Sequence, residues 1–528
     1  MKSDKRPTLL GILASVLFSA ATVQAQILPT IQWQKSFGGS SSDYAQVVKQ
    51  TSDGGYLLGG YSSSLVSGNK TNQSIANEDY WVVKVDCSGN KQWERTYGGN
   101  SDDELYCLQQ TSDQGYIFGG YSRSYASGNK TSSLLGSYDY WVVKADSEGN
   151  IQWDRSFGGT DVDVLYSLQQ TSDGGYALGG VSRSGASGNK TNASFGFNDY
   201  WLVKLDANGN KQWDQCFGGT NDDQLTSLQQ TSDGGFILGG SSNSGLSGNK
   251  TNDGFGKYDY WIVKVDESGN KQWDKSFGGS GDDQLQSLQQ TSDGGYVLGG
   301  YSYSGISGNK TSGNWGQSDY WVVKLDADGN KQWDKSFGGT NFINDCCNSG
   351  YDELQSLQQT RDGGYLLGGT SVSGVSGNKT SASFGSSDYW LVKIDPNGNK
   401  QWEQSFGGSS GDWLTSLQQT SDGGYVLGGY STSSASGIKT SPGFGSTDYW
   451  LVKLSMPLSL NSSSFNSNGI FHTQLSGAAG TNYIFLASSN LTDWVPLLTN
   501  NAADGLVNFS DTNTAGFLKR FYRVQQQP

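Results

Sequence analysis

The sequence contains very little histidine, cysteine or proline. His472 is its single histidine, so most of the chain lacks the commonest metal ligand and the base of a Ser-His-Asp triad. The five cysteines do not recur at a fixed period, a pattern that argues against a disulfide framework. With 7 prolines and no Gly-X-Y period among its 76 glycines, the chain is not collagen.

A basic surface is also missing. The 528 residues carry a formal net charge of −14, and proteins that bind nucleic acid need clustered positive charge. We therefore expect no nucleic-acid partner.

Long apolar runs are confined to the N-terminus. Leu9–Ala21 is apolar, follows the basic residues Lys2, Lys5 and Arg6, and is too short to anchor a protein in a bilayer. Small residues in Val23–Ala25 complete the pattern of a secretory signal peptide over residues 1–25, cleaved after Ala25. The sequence thus predicts a secreted or cell-surface protein without a membrane span.

Tryptophan recurs with a period of 60 residues. The series is Trp33, Trp93, Trp153, Trp213, Trp273 and Trp333. The next step, to Trp402, is longer because of an insertion at residues 340–353. Internal repeats of this length are typical of solenoids and propellers.

Each repeat contains four strand-length segments. In one repeat they are Leu285–Thr291, Gly295–Ser302, Asp319–Asp326 and Lys331–Phe337. The turn sequences SDGG and ADGN join the first segment to the second and the third to the fourth. A long loop separates the second from the third, so each repeat predicts an antiparallel four-stranded sheet.

The repeats begin and end in the middle of a unit. The chain opens on a fourth strand at Ile31–Gly39, and the array closes on a third strand at Asp448–Leu454. Pairing these two strands would complete a seventh sheet and leave no open edge. We therefore predict an all-β, seven-bladed β-propeller over residues 31–454, after a short lead-in at 26–30. Its first strands, with glutamines such as Gln229 and with Lys49 in the first repeat, should line the axis.

The repeated sequence motifs DYWVVKLD, GNKQW, SFGG and TSDGGY resemble those of the secreted bacterial seven-bladed β-propeller repeat, the SBBP type. The likeness covers residues 31–454 and departs from the family in a longer loop containing SGNKT. It implies a propeller fold and secretion, and it implies no particular biochemistry.

Residues 458–528 lack the repeat and follow a short linker at 455–457. Their short apolar segments predict a small all-β, sandwich-like domain. The segment ASSNLTDWVPLLTN resembles modules at the C-termini of large secreted bacterial proteins. This resemblance implies that the C-terminal domain retains the protein at the cell surface or acts as an accessory binding domain.

The long loops and the links between repeats should share one face of a propeller, here named the long-loop face, and loops on rigid scaffolds often carry function. Each long loop carries a lysine, including Lys190, Lys250 and Lys310. These lysines either bind an anionic ligand or are solvated and pair loosely with acidic links such as Asp222 and Asp282. The acidic composition favours the solvated alternative.

Apolar side chains occupy a fixed place in the same loops. Five are aromatic and suit stacking on sugar rings, but Ile75 and Leu135 hold the same place without a ring. A hydrophobic pin for a glycine-rich loop explains every copy. The aromatic members, our candidate ligand contacts, are Phe195, Phe255, Trp315, Phe384 and Phe444.

Cofactor signals are weak. Asp326–Asn330 begins like a calcium loop, but no closing glutamate follows, so a turn is expected and no metal or cofactor is predicted. The adjacent Cys346 and Cys347 could form a strained disulfide. The spacing between each turn and the following tryptophan resembles the tryptophan motif of quinoprotein dehydrogenases, but differs from it by one residue.

These observations favour a monomeric, non-enzymatic scaffold that binds an extracellular glycan or protein through the long-loop face. The alternative is a carbohydrate-active or quinone-dependent enzyme with its site near residues 340–353. There the repeat symmetry breaks and Asp345, Asp352 and Glu353 collect.

Overall fold

A computed structural model describes residues 28–340, 350–456, 459–466, 470–477, 482–501, 506–514 and 520–526. Throughout these ranges the chain forms strands, turns and loops, with no helix. The predicted signal peptide at 1–25 and the cysteines Cys346 and Cys347 lie outside the described residues.

Thirty-four strands follow one another in these described ranges. The first seventeen are β1 (Thr30–Phe37), β2 (Asp43–Gln50), β3 (Tyr56–Ser62), β4 (Asp79–Val85), β5 (Lys91–Tyr97), β6 (Asp103–Gln110), β7 (Tyr116–Ser122), β8 (Asp139–Ala145), β9 (Ile151–Phe157), β10 (Asp163–Gln170), β11 (Tyr176–Ser182), β12 (Asp199–Leu205), β13 (Lys211–Phe217), β14 (Asp223–Gln230), β15 (Phe236–Ser242), β16 (Asp259–Val265) and β17 (Lys271–Phe277). The others are β18 (Asp283–Gln290), β19 (Tyr296–Ser302), β20 (Asp319–Leu325), β21 (Lys331–Phe337), β22 (Asp352–Gln359), β23 (Tyr365–Ser371), β24 (Asp388–Ile394), β25 (Lys400–Phe406), β26 (Asp412–Gln419), β27 (Tyr425–Ser431), β28 (Asp448–Ser455), β29 (Ser459–Phe465), β30 (Phe471–Ser476), β31 (Asn482–Ser488), β32 (Val495–Asn501), β33 (Leu506–Asp511) and β34 (Phe521–Gln526).

The repeats form four-stranded antiparallel sheets of the β-propeller type. Sheets 1 to 6 each take four consecutive strands, from β2–β5 for sheet 1 to β22–β25 for sheet 6. Sheet 7 has the order β1-β28-β27-β26, so its outer strand comes from the start of the chain. The predicted four-stranded repeat is confirmed, with boundaries within two residues in sheet 5.

Burial explains why these sequences form strands. The third strand of each sheet, such as DYWVVKL in β20, is buried along its whole length and is rich in aromatic and β-branched residues. The fourth strand, such as KQWDKSF in β21, is more exposed because it lies at the outer edge of its sheet. Each sheet therefore packs both of its faces against neighbouring sheets.

Neighbouring sheets are joined by a repeated tyrosine–tryptophan contact. The hydroxyl of Tyr200 in sheet 3 donates to the Trp261 carbonyl of sheet 4 at 2.9 Å, and the two rings lie 4.7 Å apart. Equivalent bonds link every consecutive pair of sheets. Tyr449 of sheet 7 donates to the Trp81 carbonyl of sheet 1 at 2.9 Å.

Buried aspartates anchor the long loops. Asp259 begins β16, and its Oδ2 accepts from the backbone N–H groups of Phe255 and Gly256. The equivalent aspartate recurs in every sheet, and in each sheet it accepts a hydrogen bond from the backbone of the preceding long loop. Burial raises the pKa of Asp79, Asp139, Asp199 and Asp319 to about 7, and that of Asp259 to about 6.

We expect stability to fall as pH rises from about 5 to 8. A carboxyl whose pKa is raised on folding contributes stability that is present below its unfolded pKa of 3.8 and is lost as pH rises through about 7. Melting temperatures measured at pH 5 and pH 8 check this, and the protein should melt higher at pH 5. Asp139→Asn should reduce the difference; equal melting at both pH values would contradict the expectation.

Salt-bridged aspartates determine where the stability of the protein falls on the acidic side of the pH range. Asp53 and Asp173 bind buried lysines, Lys84 and Lys204, at 2.8 Å, and their pKa lies near 2. Burial opposes this lowering, which comes from hydrogen bonds and from the lysine charge. Their stabilisation is present above pH 3.8 and is lost as pH falls through about 2, so stability should be greatest in the mildly acidic range.

The C-terminal residues form two three-stranded sheets, β29-β30-β33 and β32-β31-β34. Phe485 of one sheet stacks on Phe509 of the other with ring centroids 4.4 Å apart. Nowhere in the described ranges is there a helix long and apolar enough to span a bilayer.

Candidate functional site

The long-loop lysines lie inside the protein. Lys190, Lys250 and Lys310 are at most 3% exposed, and the Lys250 ammonium donates to Ser276 Oγ at 2.9 Å. It also lies 4.8 Å from the centre of the Trp261 ring. The expectation of solvated lysines is therefore wrong, because the aromatic face and the loop oxygens replace water. A role in ligand binding stays a prediction, and this burial argues against it.

The loop aromatics lie half-exposed against the next loop. Phe195, Phe255, Trp315 and Phe384 are 38–47% exposed, and Phe444 is half-buried. A β-carbon added to Gly308 would come within 2.8 Å of the Phe255 Cβ, so the aromatic packs closely on that glycine. This contact is consistent with the predicted pin, while the exposed part of each ring remains open to a ligand.

Paired alanine variants distinguish a pin from a ligand contact. We expect Trp315→Ala and Leu135→Ala each to lose about 1–2 kcal/mol of stability, less than the 3–5 kcal/mol of a fully buried aromatic, because both side chains are partly exposed. Melting curves and glycan-binding isotherms of the two variants provide the measurement. A Trp315→Ala protein with native stability and no glycan binding would show that the tryptophan is a ligand contact.

Within the calcium-like turn, neighbouring residues supply the hydrogen bonds that the Asp326 carboxylate accepts. Asp326 Oδ1 accepts from the N–H groups of Asp328 and Asn330 at 3.0 and 2.8 Å, and Asn330 Nδ2 donates to Oδ2. The carboxylate therefore organises the turn. No cluster of three or more potential metal ligands occurs among the described residues.

The insertion is only partly described, because residues 341–349, including Asp345, lie outside the described ranges. Asp352 is buried and accepts from Gly339 N–H and Ser373 Oγ, each at 2.8 Å. Asp103 makes the same two bonds in sheet 2, so Asp352 has a structural role common to the sheets. Glu353 is half-buried.

A group of aromatic side chains that the repeat pattern does not predict lies where the first strands begin. These residues are at or near the long-loop ends of the first and second strands of sheets 7, 1, 2 and 3. We name this group the aromatic arc: Trp413, Tyr430, Tyr44, Tyr61, Tyr106, Tyr121, Tyr138 and Tyr166.

Ring contacts connect the members of the arc across three sheet boundaries. Trp413 stacks on Tyr430 at 5.2 Å, and Tyr430 meets Tyr44 of sheet 1 edge-on at 5.1 Å. Tyr61 continues the series to Tyr106 at 6.4 Å, which contacts Tyr166 of sheet 3 at 5.2 Å. The rings are half-buried, so part of each surface faces solvent.

Strand irregularity helps to place these rings. The pairing of β6 with β7 shifts register between Leu105 and Cys107, which leaves Tyr106 in a bulge. Tyr166 occupies the equivalent bulge in β10. Bulges re-aim side chains and are frequent beside binding sites.

Two glutamates, Glu78 and Glu104, lie beside the tyrosines of the arc. Tyr106 donates to Glu104 at 2.6 Å, and Tyr121 donates to the same carboxylate. Burial, followed by the negative charge of Glu104 and a hydrogen bond with it, raises the pKa of Glu78 to about 7. The raised pKa keeps Glu78 partly protonated near neutral pH, so its carboxyl can donate the hydrogen bond to Glu104.

Beside this pair, Arg123 carries the local positive charge. Its guanidinium binds Asp102 at 2.9 Å and lies 4.8 Å from the centre of the Tyr138 ring. Together with these neighbouring charged residues, the arc presents aromatic faces, phenol groups, carboxylates and one guanidinium.

The arc breaks the symmetry of the repeat. Sheet 5 has Gln284 and Gln286 at the positions that carry Glu104 and Tyr106 in sheet 2, and sheet 4 has Gln224 and Thr226. A binding site for one ligand needs different groups in different places, which identical repeats do not supply. Comparing the seven copies at these two positions identifies four members of the arc from sequence: Tyr44, Tyr106, Tyr166 and Trp413.

The chemistry of the arc suits recognition better than hydrolysis. Paired carboxylates of glycosidases are separated by about 5 Å or more to admit the substrate and, in inverting enzymes, water. Glu78 and Glu104 instead hydrogen-bond each other, which leaves no space for a sugar between them. Aromatic faces beside hydrogen-bonding carboxylates can hold a polar ligand with apolar patches.

No known protein-family profile matches the chain. Among curated proteins, a segment of 144 residues is 31% identical to the regulatory protein FlaEY of Caulobacter vibrioides, covering 26% of this chain and 15% of that protein. The chain therefore matches only a small part of that relative's length.

Solved structures also show similarity. Sqt1 of Chaetomium thermophilum matches 84% of this chain and 97% of its own, with 11% identity and a TM-score of 0.39. BBS1N, solved in complex with ARL6DN, matches 82% of this chain and 98% of its own, with 10% identity and a TM-score of 0.41.

Proposed function

We propose that this protein is a secreted, non-enzymatic β-propeller that binds an extracellular glycan through the aromatic arc on its long-loop face. The aromatic arc is the feature of the molecule that supports this proposal. It is half-exposed, asymmetric and lined by hydrogen-bonding carboxylates, on a scaffold that otherwise repeats.

The scaffold is proposed to be a closed ring of seven blades of the SBBP type. The pairing of β1 with β28 supports closure, as does the Tyr449–Trp81 bond from sheet 7 to sheet 1. Closure brings Trp413 and Tyr430 of sheet 7 next to Tyr44 of sheet 1 and so assembles the arc. The signal peptide at 1–25 directs this ring outside the cell, where it acts as a monomer.

Glycan chemistry explains the composition of the arc. Sugar rings offer apolar faces to aromatic side chains and hydroxyl groups to carboxylate acceptors, and Glu104 and the tyrosine hydroxyls supply the polar partners. A protein partner with the same mixture of apolar and hydroxyl groups is the other class of ligand that fits this face.

A glycan array combined with a turnover assay on the secreted protein tests the proposal. We expect binding to a subset of glycans and no release of reducing sugar. Release of reducing sugar would show an enzyme, and an array without any binding would contradict the glycan proposal.

A further inference from the structure

A second polar site lies on the axis at the other end of the first strands, near the turns that join first to second strands. A central cavity of about 580 Å³ occurs there. First strands of all seven sheets contribute to its wall, through leucine, serine and glutamine side chains and one lysine, Lys49.

Six glutamines in this wall make the same bond. In each, the side-chain Oε1 accepts from the backbone N–H of the next sheet's following glutamine, as Gln229 does from Gln290 at 2.6 Å. The other five bonds are 2.6–2.7 Å long and come from Gln109, Gln169, Gln289, Gln358 and Gln418.

This bond fixes which end of each carboxamide remains available. A backbone N–H requires an acceptor, so the oxygen is committed and the amide NH₂ group is the end left over. Among the described residues, no hydrogen-bond acceptor pairs with the Nε2 of these six glutamines. The wall therefore offers a ring of donors.

The serines of the same wall add donors. Ser227 Oγ accepts from Leu288 N–H at 3.2 Å, and Ser287 Oγ accepts from Leu357 N–H at 3.3 Å. Since each oxygen already accepts a backbone hydrogen, its own hydroxyl hydrogen remains free to donate.

Lys49 replaces the glutamine in sheet 1 and breaks the ring. Its ammonium has no ion-pair partner among the described residues, and no carboxylate lines the cavity. Burial without a compensating charge lowers its pKa. A cation held in a cavity without a counter-ion is costly unless an anion joins it.

We infer that the central cavity binds a small oxyanion, a carboxylate or a phosphate, between the Lys49 ammonium and the ring of glutamine amides. Every group assigned to this site is a donor or a positive charge, and an oxyanion offers only acceptors. The site lies at the opposite end of the first strands from the aromatic arc, so it does not depend on the proposed glycan binding.

The repeat itself supplies the matched variant. Lys49→Gln installs the residue that six other sheets carry and provides an acceptor for the Gln110 N–H group, so folding should be retained. A second variant, Gln229→Glu, keeps the acceptor for Gln290 N–H and converts the donor that remains into a negative oxygen.

Calorimetric titration with inorganic phosphate and, separately, with citrate at equal ionic strength tests the inference. We expect the wild-type protein to bind one of the two anions at a single site. The ion that binds identifies phosphate or carboxylate as the preferred class. Both variants should bind it about tenfold more weakly or worse, because each removes a charge-assisted bond from the site.

Melting temperatures of the three proteins without ligand confirm that each is folded. Wild-type protein that binds neither anion would overturn the inference. So would folded Lys49→Gln and Gln229→Glu proteins with wild-type affinity.

Discussion

Deleting Ile31–Gly39 should leave a protein that aggregates or is severely destabilised. The deletion removes most of β1, whose residues pair with β28 from Ile31–Leu454 to Phe37–Tyr449. Phe37 is buried in the core between sheets 7 and 1, and loss of one such phenylalanine alone costs about 3–5 kcal/mol. The freed edge of β28 would also expose unpaired backbone groups to other chains.

Size-exclusion chromatography and thermal melting of the truncated protein measure this effect. A deletion of residues 26–28, which precede β1 and spare the buried Pro29, is the matched control and should behave like the wild type. Adding a synthetic peptide with the sequence TIQWQKSFGG should restore the melting temperature of the truncated protein. A truncated protein that stays monomeric and melts normally would show that β1 does not close the array.

Trp321→Ala should lower stability by about 3–5 kcal/mol, the usual range for removing a fully buried tryptophan. Its ring contacts Tyr260 of the preceding sheet at 4.6 Å and is covered by the Lys310 ammonium at 5.5 Å. The indole N–H also donates to Asp334 at 3.1 Å. The substitution thus removes packing between sheets and leaves a buried carboxylate and a buried ammonium poorly matched.

Urea unfolding of Trp321→Ala beside Trp333→Ala provides the comparison. Trp333 is half-buried on the outer strand β21, so its removal should cost clearly less. Equal losses in the two variants would mean that the third strands are not the main stabilising layer between sheets.

The repeat pattern was enough to predict the strands, since the period of Trp33 to Trp333 and the turn sequences define where each segment starts and stops. It was also enough to predict that β1 completes the last sheet. These features depend on local sequence and on counting, and both are visible without a structure.

The lysines and the aromatic arc were harder to predict, because they depend on contacts between distant residues. Lys250 lies in a polar, glycine-rich loop that suggests exposure, and only the fold places it over Trp261. Tyr430 and Tyr44 are almost 400 positions apart in sequence, yet their rings meet at 5.1 Å. Their proximity follows from the contact between the last and first sheets, which no short motif reports.

A glycan-binding isotherm of Trp413→Gln shows whether the aromatic arc binds glycan. Glutamine is the residue at the equivalent position of sheet 5, Gln284, so the variant removes the ring while keeping a side chain that the repeat already tolerates. We expect a folded protein and a roughly tenfold loss of affinity for the glycan that binds the wild type, because the variant removes an aromatic stacking contact of about 1–3 kcal/mol. Unchanged affinity in a folded Trp413→Gln protein would contradict the assignment of glycan binding to the aromatic arc.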